Sequence, residues 1–323
     1  MIPQKLQPND EIRVIAPARS IKLIGEETRK IAAERFAELG LKLTFGKHTA
    51  EENADMFLSD SVENRTADIM EAFADKNVKA IFTVIGGFNS NQILDDLDYD
   101  VIAKNPKIFC GFSDITAIAN AIKEKGNMIV YYGPHYSSFG MLKGFEYTLE
   151  NMVKMLMEEG VVDAVSSKEW SDDPWYRDQQ NRDMIPNEGW WLIHEGKAKG
   201  VIEGGNLGTY ILLNGTEYRH KFAEDTILFL EDCVPVGAVD FDRMLQAFIH
   251  QPDFHHVKGL AIGRFQKGSE VTREQLEYVI NTKKELKDLP VLANVDFGHT
   301  TPILTIPFGG RAELDGIKLK LIG

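Results

Sequence analysis

Short apolar runs alternate with helix-patterned stretches through the first half of the chain, and this alternation is the strongest constraint on its fold. EIRVIAP, LKLTF, KAIFTVIGG, KIFCGFS and MIVYYGP read as strands. Between them, GEETRKIAAERFAELG carries Ala32, Phe36 and Leu39 at helical spacing, with Gly40 as the stop. SVENRTADIMEAFAD places Val62, Ile69 and Phe73 on one face, NSNQILDDLD reads as a short helix, and DITAIANAIKEKG is a helix ended by Gly126. FEYTLENMVKMLMEEG adds a long amphipathic helix with an acidic end. Such alternation implies right-handed crossovers and a mostly parallel sheet. Ligands of these sheets sit beyond the carboxyl ends of the strands, where IGGFNSN and GFSD both fall.

The second half differs. The 323 residues exceed what one core usually organises, so two domains are expected. Residues 1–160 read as an N-terminal α/β domain, 161–190 as a linker with an aromatic loop, and 191–323 as a C-terminal α/β domain richer in strands. Ser166 to Trp191 holds all four tryptophans and two prolines, without a clean period. Long unpatterned segments are uncommon in compact domains, and disordered ones are poor in aromatics, so an ordered binding loop is expected. Beyond it, TILFLED and GLAIGRF read as strands, and VDFDRMLQAFIHQ and TREQLEYVINTKKEL as helices. LPVLANVDFGHTTP is a strand entering a loop, and ILTIPFG and GIKLKLIG are short closing strands.

A net charge of −13 is poorly matched to nucleic-acid polymers or anionic lipid. No apolar run approaches the ~20 residues of a membrane span, and no leader pattern opens the chain. Two cysteines, Cys110 and Cys233, each within an apolar run, fit buried thiols in a reducing, cytoplasmic setting. There is no H-E-x-x-H, His255 and His256 are adjacent, and His135, His194 and His250 are scattered, so no metal is expected. EGGNLG, at Glu203–Gly208, is wrongly spaced for a phosphate-binding loop or a dinucleotide fingerprint, so no ATP or NAD cofactor is inferred.

Ser113 stands where a strand turns into a helix, in GFSD. There a hydroxyl is exposed at the sheet edge, and first-turn amides point at an oxyanion beside it. This follows the logic of the nucleophile elbow, although Ile115 stands where G-x-S-x-G has its second glycine. The plainer reading is that Ser113 or Asp114 caps the helix. A nucleophilic serine needs a base and the base an orienting acid. His299, in the glycine-containing loop DFGHTTP, is a candidate base. Glu231 ends the apolar strand TILFLE, where an unpaired carboxylate is costly, and Asp232 competes with it. Gly86 and Gly87 end another strand, and a backbone amide there with that of Asp114 could form an oxyanion hole.

These pieces resemble one family, the LD-carboxypeptidases and microcin C immunity proteins, which are serine peptidases. IAPA after the first strand, the glycine pair, GFSD, IEGGNL, LFLED and FGHTTPILTIPFG carry the similarity in order over nearly the whole length. The resemblance implies a Ser-Glu-His triad at Ser113, Glu231 and His299, with Gly87 and Asp114 as the oxyanion hole. It also implies a flavodoxin-like or amidotransferase-like N-terminal domain, a β-rich C-terminal domain, a site between them and a homodimer. IGGFNSN, the following DYD and the tryptophan-rich segment ending in PNEGW are similar to the immunity branch. There, an aromatic loop stacks the nucleobase of an aspartyl or peptidyl-aspartyl nucleotide phosphoramidate or sulfamoyl adenosine. Trp175, Trp170 and Tyr176 are the stacking candidates, with Trp175 foremost, and Asn89, Ser90, Asn91 and Asn206 are candidate substrate contacts. Trp190 and Trp191 read as core alternatives. The other expectations are an L,D-carboxypeptidase releasing D-alanine from muropeptides and a catalytically silent ligand-binding protein.

Overall fold

The computed structural model describes residues 1–49 and 54–323. Five parallel strands, β1 (Glu11–Ile15), β2 (Lys42–Phe45), β3 (Val78–Thr83), β4 (Ile108–Gly111) and β5 (Val130–Tyr132), form a sheet in the order 2-1-3-4-5. This is the flavodoxin-like order, with its topological switch between β1 and β3. The crossovers carry α1 (Glu26–Glu38), α2 (Val62–Ala74), α3 (Tyr99–Lys104) and α4 (Thr116–Gly126). Ser61 caps α2 and Asp98 caps α3, each side chain accepting an amide of the first turn. Phe36 of α1 stacks on Phe139 at 4.2 Å and meets Phe82 of β3 edge-on, which fixes the helix against the sheet.

After α5 (Glu146–Leu156), the chain enters a second sheet through β6 (Val161–Ala164), so the expected linker begins as a strand. β7 (Glu169–Trp170) and β8 (Ile185–Pro186) pair as a small ribbon within the tryptophan-rich segment. The second sheet adds β9 (Trp191–His194), β10 (Lys197–Asn206), β11 (Thr226–Glu231), β12 (Val257–Gly263) and β13 (Val291–Val295). β10 to β13 run parallel, with α6 (Leu207–Tyr210), α7 (Ala238–Ile249) and α8 (Arg273–Asn281) in their connections. β14 (Ile306–Phe308) leaves this unit and pairs antiparallel with β5, as the sixth strand of the first sheet. The expected boundary at 191–323 therefore has an exception, because residues 306–308 complete the other sheet. β15 (Arg311–Asp315) and β16 (Lys318–Ile322) close the second sheet beside β10. β15 was not read as a strand. It buries only Ala312 and Leu314 and turns Arg311 and Asp315 to solvent, so its apolar signal is two residues long.

The two sheets meet at α4 and β10. Gly205 has φ +133°, and a Cβ there would fall 2.5 Å from Thr116 Cγ2, so only glycine admits this approach. Asn120 of α4 donates to the Gly204 carbonyl at 3.1 Å, and Lys123 pairs with Glu203, both buried. No described helix is long and apolar enough to cross a membrane.

Candidate active site

Ser113 adopts φ +64°, a left-handed conformation that costs a non-glycine residue about 1–3 kcal/mol. Neither Ser113 nor Asp114 caps the following helix, which disposes of the plainer reading of GFSD. Ser113 Oγ instead lies 2.8 Å from His299 Nε2, and His299 Nδ1 lies 2.7 Å from Glu231 Oε2. With a neutral imidazole, the serine donates to Nε2 and Nδ1–H donates to the carboxylate. The three residues come from the turn after β4, the end of β11 and the loop after β13, so both sheets contribute.

Glu231 is fully buried at the end of a strand whose six residues are all buried. Its charge is sustained by hydrogen bonds, as burial requires. Oε1 accepts from Tyr132 Oη at 2.5 Å and from Asn206 Nδ2 at 3.2 Å, while Oε2 faces His299. Burial alone would raise its pKa, but His299, Tyr132 and Asn206 hold it below the usual glutamate value. Gly298, at φ +102°, is required here, since a Cβ would lie 2.5 Å from Glu231 Oε2. Asp232, the competing carboxylate, accepts from the Gly208 and Cys233 amides and from Asn206. Burial and then the neighbouring Glu231 push it up to about 6. His299 follows the opposite balance: burial opposes its charge, yet Glu231 holds its pKa above the ordinary histidine value.

The side on which the sequence places an oxyanion hole is built by glycines. A Cβ on Gly86 would stand 2.9 Å from Ser113 Cβ, and one on Gly87 2.9 Å from Ala18 Cβ, so backbone alone occupies this edge. The Gly87 and Asp114 amides have no acceptor among the described residues, Asp114 because it lies in a first helical turn. Asp114 follows Ser113 directly, and Ser113, Gly87 and His299 all line a cleft of about 570 Å³.

The remaining sequence candidates divide. Trp175 and Tyr176 line the cleft, on a segment fastened by Arg182–Asp173 at 2.9 Å and by reciprocal backbone bonds between Ser171 and Thr301, each 2.7 Å. Trp170 does not: it lies in a neighbouring depression beneath Arg264, 5.1 Å from its ring centroid. Trp190 and Trp191 are half-buried and donate to Asp296 and Glu188. Asn89, Ser90 and Asn91 are not cleft residues. Asn89 bonds Ser59, Ser90 binds the Asp114 carboxylate and carbonyl, and Asn91 is exposed elsewhere. Asn206 is not among the residues lining the cleft: its Nδ2 bridges Glu231 and Asp232, and its Oδ1 caps α6. Three of these departures share a cause: Asn89, Ser90 and Asn206 follow strands, where a polar residue suggests a ligand contact, but their side chains satisfy buried neighbours.

Three residues escaped the sequence reading. Tyr132 links the Ser113 amide, at 3.0 Å, to Glu231. A buried tyrosine needs a hydroxyl partner, so the YY pair ending β5 was a usable signal. His135 lines the cleft, with Nδ1 2.7 Å from Thr83 Oγ1 and its ring 4.2 Å from Phe112. Burial, with His299 nearby, pushes its pKa down to about 3, so it is neutral at ordinary pH. Arg19, in the loop after β1, also lines the cleft.

A serine, an imidazole and a buried carboxylate joined in this order on an α/β scaffold define the architecture of serine hydrolases. Residues 12–133 match the LD-carboxypeptidase N-terminal domain and residues 199–314 the LD-carboxypeptidase C-terminal domain, and the chain belongs to this family of serine peptidases. It is 48% identical to a Treponema pallidum protein named "Putative carboxypeptidase", over 96% of this chain and 91% of the relative. The crystal structure of an MccF-like protein from Bacillus anthracis superposes with a TM-score of 0.96 at 47% identity, covering 100% of this chain and 99% of that one. The Escherichia coli microcin C7 self-immunity protein MccF is 30% identical over 85% of this chain and 82% of its own. A structure of MccF in complex with aspartyl sulfamoyl adenosine aligns at a TM-score of 0.89 and 27% identity, covering 100% of this chain and 98% of that one.

Proposed function

We propose that this protein is a serine hydrolase that cleaves the amide-type bond between an aspartyl, or peptidyl-aspartyl, group and a sulfamoyl adenosine or nucleotide phosphoramidate. The observation that carries the proposal is the Ser113–His299–Glu231 hydrogen-bonded chain opening onto a cleft that Trp175 lines. His299 takes the serine proton as Oγ attacks the carbonyl, and Glu231 stabilises the imidazolium. The Gly87 and Asp114 amides receive the oxyanion. His299 then protonates the leaving nitrogen, and water releases the acyl group from Ser113 by the reverse sequence. A silent binding protein would have no use for the strained Ser113 backbone or for a buried carboxylate held on the imidazole.

A second reading, an L,D-carboxypeptidase releasing D-alanine from muropeptides, draws support from the carboxypeptidase name of the Treponema relative. It uses the same chain of residues but gives Trp175 no task. Parallel digests of aspartyl sulfamoyl adenosine and a D-alanine-terminated muropeptide, read by mass spectrometry, separate the two. The expected result is release of aspartate and sulfamoyl adenosine by the wild type and not by Ser113→Ala. Release of D-alanine alone would establish the second reading, and normal turnover by Ser113→Ala would refute both.

A further inference from the structure

Arg19 is the one arginine or lysine among the described residues lining the cleft, and the proposed chemistry gives it no role. It follows β1 at the switch point, where the strand order reverses between β1 and β3 and ligands of such sheets collect. Its Cγ lies 3.4 Å from where a Cβ on Gly87 would stand, so the side chain runs along the flank of the oxyanion amide. Among the described residues, its Nε is shielded from solvent without a hydrogen-bond partner, and no carboxylate lies within ion-pair reach. The guanidinium rests 5.5 Å from the Phe88 ring centroid, a contact that orients the plane and satisfies none of its donors. The other fixed charges on the cleft are already matched: Asp173 pairs with Arg182, and Asp172 accepts from Lys267 N at 2.5 Å with Lys267 Nζ at 3.9 Å. In a chain of net charge −13, a cation with no carboxylate partner among the described residues favours entry of an anionic substrate.

We propose that Arg19 is the anion-recognising residue of this cleft, binding a carboxylate, sulfamate or phosphoryl group that the substrate carries near its scissile carbonyl. This rests on the hydrolase reading of the same site and adds the residue that reads the charge of its substrate. The anion has two sources: an acidic side chain on the acyl residue, or the leaving group, as a terminal carboxylate or an anion bonded to the scissile nitrogen. A guanidinium fork suits either, since each offers two oxygens in one plane.

The test is calorimetric binding to Ser113→Ala and to Ser113→Ala/Arg19→Gln, so it does not depend on turnover. The probes are aspartyl and asparaginyl sulfamoyl adenosine, and a peptide ending in D-alanine beside its D-alaninamide form. Loss of the guanidinium is expected to weaken the anion-bearing probes about ten- to hundred-fold, and Arg19→Lys to recover only part of that. A penalty confined to the aspartyl compound identifies the acyl side chain. A penalty shared by aspartyl and asparaginyl compounds, or present for the carboxylate peptide and absent for its amide, identifies the leaving group. The proposal is overturned by binding within two-fold of the parent for every probe, by equal losses on charged and neutral peptides, or by no binding of any probe. Fluorophosphonate labelling of Ser113 in the otherwise native chain tests the hydrolase reading separately: labelled Ser113 with unchanged binding on loss of Arg19 defeats only the present inference.

Discussion

At the scale of single residues, the site turns on which charge His299 carries. Burial disfavours the imidazolium, but the Glu231 carboxylate outweighs it and holds the pKa above the ordinary value. A general base must be neutral, and the neutral fraction grows as pH rises through that elevated pKa. The acid limb of kcat/KM is therefore expected above the ~6.5 of an unperturbed histidine. Glu231→Gln removes the charge while keeping an acceptor oxygen, so the limb moves to lower pH and kcat falls on the order of 10³–10⁴-fold. Paired pH–rate profiles check this, and a limb at the same pH in both proteins would mean that Glu231 does not set the charge of His299. A second consequence follows from Tyr132, whose hydroxyl serves both the Ser113 amide and Glu231. Tyr132→Phe leaves two buried groups without it and should lower stability by about 1–3 kcal/mol in urea titrations, with a loss of kcat. How much of this was legible depended on the kind of residue. Ser113, Glu231 and His299 stand out because each sits at the end of an apolar run. Asn206 did not reveal that it would face two carboxylates, since its partners lie at the end of β11 and just beyond it, 25 and 26 residues away.

At the scale of elements, the tryptophan-rich segment is held to the loop that carries His299 by the Ser171–Thr301 bonds, so cleft wall and imidazole share one support. If Trp175 stacks a base, Trp175→Ala removes about 1–3 kcal/mol of binding. KM for a nucleotide-bearing substrate then rises roughly five- to hundred-fold on that principle, with little change for a plain peptide; an equal loss on both would refute stacking. β1, β3, β4 and β5 of the first sheet are readable because they are largely buried and leave apolar runs, whereas β2, at the edge, is half-exposed. β7, β8 and β15 were not, because two-residue ribbons and a strand with two buried side chains leave no period to detect. Nor could local pattern show that Trp170 turns under Arg264, which directly follows the distant strand β12.

At the scale of the whole molecule, α4 and β10 clamp one sheet to the other through the buried Lys123–Glu203 pair. Lys123→Met leaves a carboxylate that is 1% exposed with only His220 Nε2, at 3.7 Å, as a cationic neighbour among the described residues, and should cost about 3–5 kcal/mol in urea unfolding. Lys123→Met/Glu203→Leu should regain most of it, because two well-packed apolar side chains need no charge compensation. A single variant within 1 kcal/mol of wild type would show that the pair is no clamp. The return of β14 to the edge of the first sheet bears on how the chain is made. During synthesis, Ser113 emerges 186 residues ahead of His299, and the β5 edge that β14 covers stays bare for nearly as long. At ~5–20 residues per second, that interval lasts on the order of ten seconds or more, with an open edge available for pairing with other nascent chains. The N-terminal sheet is thus assembled early but sealed last, and a ribosome that stalls after β13 leaves behind a sticky fragment rather than a smaller working unit.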